Sequence, residues 1–254
     1  MTLGPIRFHH LKAMGRSPLH CLTALTVESE QNASMQRGSA VHSILLGTRR
    51  AIYYPGKVRN GKQWEAFEAE HPDDLILTRK DYDSANRCAD AVRAHELAMS
   101  LLAGAHEETL LFKDTGIDCR ATPDVRGDGF VTELKTCALS DPFRFGGQAI
   151  RMGYHAQLAW YMHAVKKAKA GKPTKAFIVA CEQSAPYAVT VLKLTDRALE
   201  KGHALCRMWF ERIKVCMESN EWPAYSDAVV DLDVPDDDFE LKFADDEPVQ
   251  SVPF

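Results

Sequence analysis

The sequence predicts an α/β or α+β protein in which helices flank a mixed sheet, and three observations carry that expectation. Apolar residues recur at helical spacing through the first hundred positions. Residues 108–136 then break into short strand-like runs divided by glycine turns, and the rest of the body reads as helix, two strands and a long helix. No internal repeat or low-complexity linker interrupts the 254 residues. The expected partition is therefore one domain over residues 1–226, helical in its N-terminal part, with an acidic tail over residues 227–254.

Each element has a local reason. His9 to Leu25 mixes apolar and polar residues, and Ser17-Pro18 inside it reads as a helix start, a serine cap with proline at the first position. Gln36 to Leu46 is a short, largely apolar helix. Residues 53–63, YYPGKVRNGKQ, form a basic, turn-rich loop, and Trp64 to Glu70 makes one or two helical turns. Thr78-x-x-Asp81 resembles a capping box, after which Tyr82, Ala85, Cys88, Ala89, Val92, Leu97 and Leu101 hold helical spacing. A three-strand meander is expected next: Glu108 to Phe112, Ile117 to Val125 and Phe130 to Thr136, with turns at Lys113–Gly116 and Gly127–Gly129. A helix over 147–170, strands at Lys175–Cys181 and Tyr187–Leu194, and a helix from Thr195 to Asn220 close the body.

Composition excludes several classes of function. At 45% hydrophobic and 26% charged residues, with mean hydropathy −0.28, the chain has the profile of a soluble globular protein. Apolar runs such as Ala176–Cys181 fall far short of the roughly 18 residues that a membrane span needs. The first fifteen residues hold no apolar core of a secretion signal, so a cytoplasmic location is expected, with no membrane partner. The seven cysteines are odd in number and show no C-x-x-C spacing, which opposes a disulfide scaffold, a zinc ribbon and a four-cysteine iron–sulfur centre. No G-x-x-x-x-G-K-[ST] loop is present for ATP, and Ser43, Cys137 and His163 do not assemble into an acyl-transfer triad. The net charge of −4 hides a division. Residues 227–254 hold ten acids and one base, leaving 30 bases against 25 acids in the body. A mildly basic body is compatible with a polyanionic partner.

The stretch that carries chemistry is Thr122-Pro123-Asp124, followed nine residues after the aspartate by Glu133-Leu134-Lys135. A tight turn at Gly127–Gly129 can bring the two carboxylates across from each other on neighbouring strands. Strand period two puts Glu133 and Lys135 on one face and Leu134 on the other. Two carboxylates converging with one ammonium suit metal-assisted phosphodiester hydrolysis: the carboxylates hold Mg²⁺ or Mn²⁺ and the lysine orients water or stabilises the transition state.

Around that stretch the chain resembles the RecE-type (exonuclease VIII-like) exonucleases of the PD-(D/E)XK nuclease superfamily. Arg37-Gly38-Ser39-Ala40-Val41-His42 resembles the family's G-x-x-x-H helix. Glu107 to Phe112, with Cys119 to Asp124 downstream, resembles the strand pair leading to the first metal carboxylate. Glu133-Leu134-Lys135-Thr136 stands at the D/E-x-K-T position, and Gly153 to Tyr161 resembles the Q-x-x-x-Y helix. Arg16 to His20 and Trp222 to Tyr225 are also similar, so the resemblance spans about residues 6–226. It implies a restriction-endonuclease-like core and a Mg²⁺-dependent exodeoxyribonuclease (Mn²⁺ being the other candidate) that digests linear duplex DNA in the 5′→3′ direction. Asp124, Glu133 and His42 would be metal ligands and Lys135 the catalytic lysine, with Glu107 or Glu108 as accessory acid and register favouring Glu107. Gln157 and Tyr161, four apart on one helical face, would contact the DNA backbone near the scissile phosphate. His155 points to another face and is read as structural.

The resemblance further implies a ring-shaped homo-oligomer, trimer or tetramer, threading DNA ends, and a RecT-type single-strand annealing partner in phage recombination. Arg49, Arg50, Lys57, Arg59 and Lys62, with Arg120, Arg126, Arg144 and Arg151, are candidate phosphate contacts. Two other readings use the same residues: an endonuclease or repair nuclease acting on single-stranded ends or flaps, and a DNA-binding module without turnover. The intact Asp124, Glu133 and Lys135 set opposes the last.

Overall fold

The computed structural model describes residues 4–27 and 33–232. Most of the acidic segment, residues 233–254, lies outside the described residues; residues 227–232 are exposed and form neither helix nor strand. In chain order the elements are α1 (Phe8–Met14), α2 (Pro18–Thr26), α3 (Ala33–Leu46), β1 (Ala51–Tyr53), α4 (Gly61–Glu70), β2 (Leu75–Leu77), α5 (Arg79–Arg93), α6 (Glu96–Leu101), β3 (Ala105–His106), β4 (Leu110–Asp114), β5 (Ile117–Ala121), β6 (Val125–Arg126), β7 (Phe130–Cys137), α7 (Pro142–Arg151), α8 (Tyr154–Lys167), β8 (Lys175–Glu182), β9 (Val189–Lys193) and α9 (Asp196–Ser219).

The central sheet has the order β3-β6-β7-β8-β9. Only β7 and β8 run parallel, from Phe130 beside Lys175 to Cys137 beside Glu182. Their connection carries α7 and α8, as a parallel crossover requires. One face of the sheet packs on α8 through Val131, Ile178 and Ala180, and α8 in turn carries α9 and the β4–β5 hairpin, with α1 against α9; the other face packs on α3 and α5 through Leu134 and Val179, with α6 against α5. Alternation along β7 is thus the device that turns Glu133 and Lys135 toward α8 and Leu134 toward α3.

The capping signals hold: Ser17 Oγ accepts from the His20 N–H, and Thr78 Oγ1 from the Asp81 N–H at 3.1 Å. Two readings need correction. The expected meander is not one sheet. Residues 117–125 split at Thr122-Pro123-Asp124; β5 stays paired with β4 as a separate hairpin, while β6 crosses to pair with β7. Proline lacks the N–H that a continuous ladder would need there. The expected helix over 147–170 is two helices, because Gly153 takes a left-handed φ of +76° that ends one and starts the other. A second glycine fixes helix packing: a Cβ on Gly202 of α9 would lie 2.4 Å from the His155 carbonyl oxygen of α8. All seven cysteines are free and buried, as small hydrophobes in the core. Among the described residues no helix is long and apolar enough to cross a membrane.

Candidate active site

Pairing of Val125 with Thr132 sets Asp124, the residue before β6, beside the middle of β7. There Asp124 Oδ2 accepts the Leu134 N–H at 2.7 Å. On the α8 side of β7, Lys135 Nζ donates to Glu133 Oε1 at 2.6 Å. Gln157 Nε2 donates to the same oxygen at 2.7 Å and to the Tyr161 hydroxyl at 2.9 Å. Glu133 Oε2 is left buried with no hydrogen-bond partner among the described residues.

The third strand segment and α3 complete the site. The Glu107 N–H donates to the Asp124 carbonyl at 3.0 Å, and its φ of +44° is left-handed, a conformation that costs a side-chain-bearing residue about 1–2 kcal/mol. Such strain gathers at functional clusters. From α3, His42 Nε2 meets the Leu134 carbonyl oxygen at 2.9 Å. That oxygen can only accept, so Nε2 carries the proton and Nδ1 turns its lone pair toward Asp124 Oδ1, 3.6 Å away. One ligand atom each from His42, Glu107 and Asp124 lie within 4.8 Å of one another.

Burial sets the electrostatics. It pushes Asp124 up to about 6 and Glu133 up to about 7, the latter helped by the Asp124 charge. Burial lowers the His42 pKa, so the ring is neutral and can act as a ligand. Burial would also lower Lys135, yet the Glu133 and Asp124 carboxylates outweigh it and hold the ammonium at about 12. Three acids, two of them buried, and one ammonium leave negative charge in surplus. With a neutral imidazole nitrogen facing a carboxylate oxygen and an orphaned carboxylate oxygen nearby, the donor set fits a hard divalent cation. The site opens to a groove of about 930 Å³ lined by Gly38, Ser39, His42, Lys135, Thr136 and Tyr154 among others.

Residues 8–231 match the model of a family described as a PDDEXK-like domain of unknown function (DUF3799). The chain belongs to that family. The fold of this PDDEXK-like chain is similar to that of a candidate exonuclease from Eubacterium rectale, with a TM-score of 0.65 at 15% identity over 91% of each chain. It also overlaps an alkaline exonuclease from Laribacter hongkongensis (TM-score 0.39, 14% identity, 86% of this chain and 92% of that one). A phage-related exonuclease from Haemophilus somnus overlaps at TM-score 0.36 and 10% identity, over 85% of this chain and 97% of that one. At these identities the likeness bears on the fold, and the two low scores add nothing to it. No curated protein matches by sequence. The expected core, a PD-(D/E)XK mixed sheet flanked by helices, is the one found.

Within this PDDEXK-like site the residues singled out from sequence separate. Asp124, Glu133, Lys135, His42 and Gln157 come together, and so does Glu107; Glu108 instead pairs with Arg126. The three-donor cluster contains Glu107, whereas Glu133 offers one oxygen to Lys135 and Gln157 and leaves the other unpaired. Tyr161 is buried in the core at 9% exposure, so it reaches the site through Gln157 rather than by touching a DNA backbone. Arg126 is likewise removed from the phosphate contacts: it donates to Glu108 and, at 2.9 Å, to the Ala170 carbonyl. Arg120 donates to Thr109 Oγ1 at 3.2 Å on the β4–β5 hairpin. Lys57 and Arg59 are exposed on the β1–α4 loop, with Arg59 over the Trp64 ring at 5.4 Å. His155 is buried, in keeping with a structural part. Sequence reasoning passed over Tyr154, whose ring lies 4.7 Å from Lys135 Nζ; the left-handed Gly153 before it was the available signal.

Proposed function

We propose that the chain is a divalent-metal-dependent deoxyribonuclease, a 5′→3′ exonuclease acting on the ends of linear duplex DNA. The observation that carries the reading is the surplus of carboxylates, the buried Asp124 and Glu133 and the half-buried Glu107, gathered around His42 and Lys135 at an open groove. In this reading His42, Glu107 and Asp124 hold Mg²⁺ or Mn²⁺, with the unpaired Glu133 oxygen as a further donor. When bound, the ion neutralises phosphate charge and supplies a water of lowered pKa.

The chain's own residues do the rest. Lys135 presents its ammonium to the groove, where it donates to a non-bridging phosphate oxygen or holds the attacking water in line. Glu133 fixes the ammonium, Gln157 fixes Glu133 through its amide, and the Tyr161 hydroxyl fixes Gln157. In this reading the exposed Lys57 and Arg59 serve as phosphate contacts outside the groove. The biological setting in this proposal is cytoplasmic end resection by a ring-shaped trimer or tetramer that hands a single strand to a RecT-type annealing protein. Its working unit is the nuclease domain of residues 1–226, and the acidic segment after it is an appendage.

Digestion of 5′-end-labelled linear duplex, with Mg²⁺ and then Ca²⁺, tests the reading beside a Lys135→Ala control and a closed circular substrate. Release of labelled mononucleotide only with Mg²⁺ and only with Lys135 is expected, with the circle intact. Cutting of the circle or of flaps alone would move the assignment to an endonuclease; no cleavage by folded protein in Mg²⁺ or Mn²⁺ would overturn it in favour of a binding module.

A further inference from the structure

Resting on the nuclease reading above, we propose that Tyr154 is the positioning residue of Lys135, holding its ammonium by a cation–π contact so that the remaining N–H groups stay directed into the groove. Lys135 Nζ lies 4.7 Å from the Tyr154 ring centroid and 2.6 Å from Glu133 Oε1, so the ammonium is gripped from two sides. A lysine side chain has four rotatable bonds and large rotamer freedom, and one carboxylate alone leaves it able to swing. The second grip matters chemically. A further carboxylate would take an N–H needed for phosphate or water and would add to the acid surplus. A ring attracts the cation through its quadrupole and competes weakly for the N–H.

Tyr154 is itself well fixed. It is the first residue of α8, placed by the left-handed Gly153, and its ring packs on the fully buried Phe145 with centroids 6.4 Å apart. It lines the same groove as Lys135 and His42.

The test uses Tyr154→Leu, Tyr154→Phe and a graded set of fluorinated phenylalanines at 154, which weaken the ring's electrostatic face while nearly keeping its shape. Tyr154→Leu is expected to lower kcat on linear duplex about ten-fold with little change in KM, equivalent to about 1.4 kcal/mol. Tyr154→Phe should restore most of that loss, and each added fluorine should lower kcat stepwise. A flat fluorine series, or a Phe variant as slow as Leu, overturns the proposal even though the parent protein cuts DNA. A readout independent of turnover keeps the two readings apart: the ε-methylene protons of Lys135, lying over a ring, should resonate upfield in the parent and in Tyr154→Phe and return to ordinary positions in Tyr154→Leu. Ordinary positions in the parent would refute the contact whether or not the protein is a nuclease.

Discussion

Replacing Asp124 with asparagine separates what the site costs from what it does. Asp124 is buried, its Oδ2 accepts the Leu134 N–H at 2.7 Å, and its Oδ1 faces the His42 lone pair. Asparagine keeps the first bond through its amide oxygen and can donate its NH₂ to the imidazole. Because burial holds the carboxyl at about 6, against 3.8 in an exposed aspartate, ionising it costs the folded protein about 3 kcal/mol above pH 7. The sign follows from the raised value: the stability is full below 3.8 and is lost as pH rises through 6. Without metal, D124N should therefore be more stable than the parent at pH 8 by about 2–3 kcal/mol, some 4–10 °C in Tm. At pH 4.5 the gain should shrink to about 1 kcal/mol, since there the parent is largely protonated when folded. Thermal unfolding by circular dichroism in EDTA at both pH values reads this directly. Mg²⁺ should raise the Tm of the parent at pH 8, leave D124N unmoved, and support no cleavage by D124N. A variant destabilised equally at both pH values, or one stabilised by Mg²⁺ as much as the parent, would refute the placing of Asp124 in a cation site.

Three further outcomes are expected. At pH 6.5, where Asp124 and Glu133 are partly protonated, Mg²⁺ binding should release protons, so the calorimetric heat should vary with the ionisation enthalpy of the buffer; identical heats in all buffers would count against these ligands. Neutralising Lys57 and Arg59 together should reduce the slope of log affinity for duplex DNA against log salt by nearly 1 per residue, with cleavage disabled by Ca²⁺; an unchanged slope would release the loop from DNA contact. Arg126→Ala should cost about 1–2 kcal/mol of stability through the lost Glu108 and Ala170 bonds and leave that slope alone. A slope reduced at constant stability would restore it to the DNA surface.

What could be read in advance follows the distance over which each part is specified. Asp124, Glu133 and Lys135 sit within one short strand–turn–strand, where period two and a glycine turn fix their relation, and the structure keeps it. His42 and Glu107 reach the same point through helix packing and a left-handed backbone. No local pattern encodes either, and only their resemblance to family motifs marked them. The split of residues 117–125 was signalled by Pro123 but depends on β6 finding β7 rather than β4, which is a tertiary choice. Arg126 shows the opposite failure. A strand arginine beside a glycine turn has the look of a free cation, and nothing near it in sequence reveals the Ala170 carbonyl that occupies it.

The same contrast explains why the site is built with too much negative charge. Lys135 can neutralise only one of Glu107, Asp124 and Glu133, and it is already bonded to Glu133. Gln157 adds a hydrogen bond there but no charge, and neutral His42 adds a lone pair. Neither Gln157 nor His42 therefore reduces the acid surplus that Lys135 leaves, although a second lysine in place of Gln157 would have relieved it. A metal-free site relieved in that way would be more stable and would bind a divalent ion poorly. The raised carboxyl values are the energetic signature of affinity held in reserve, recovered when a cation enters and lost when D124N removes the need for one.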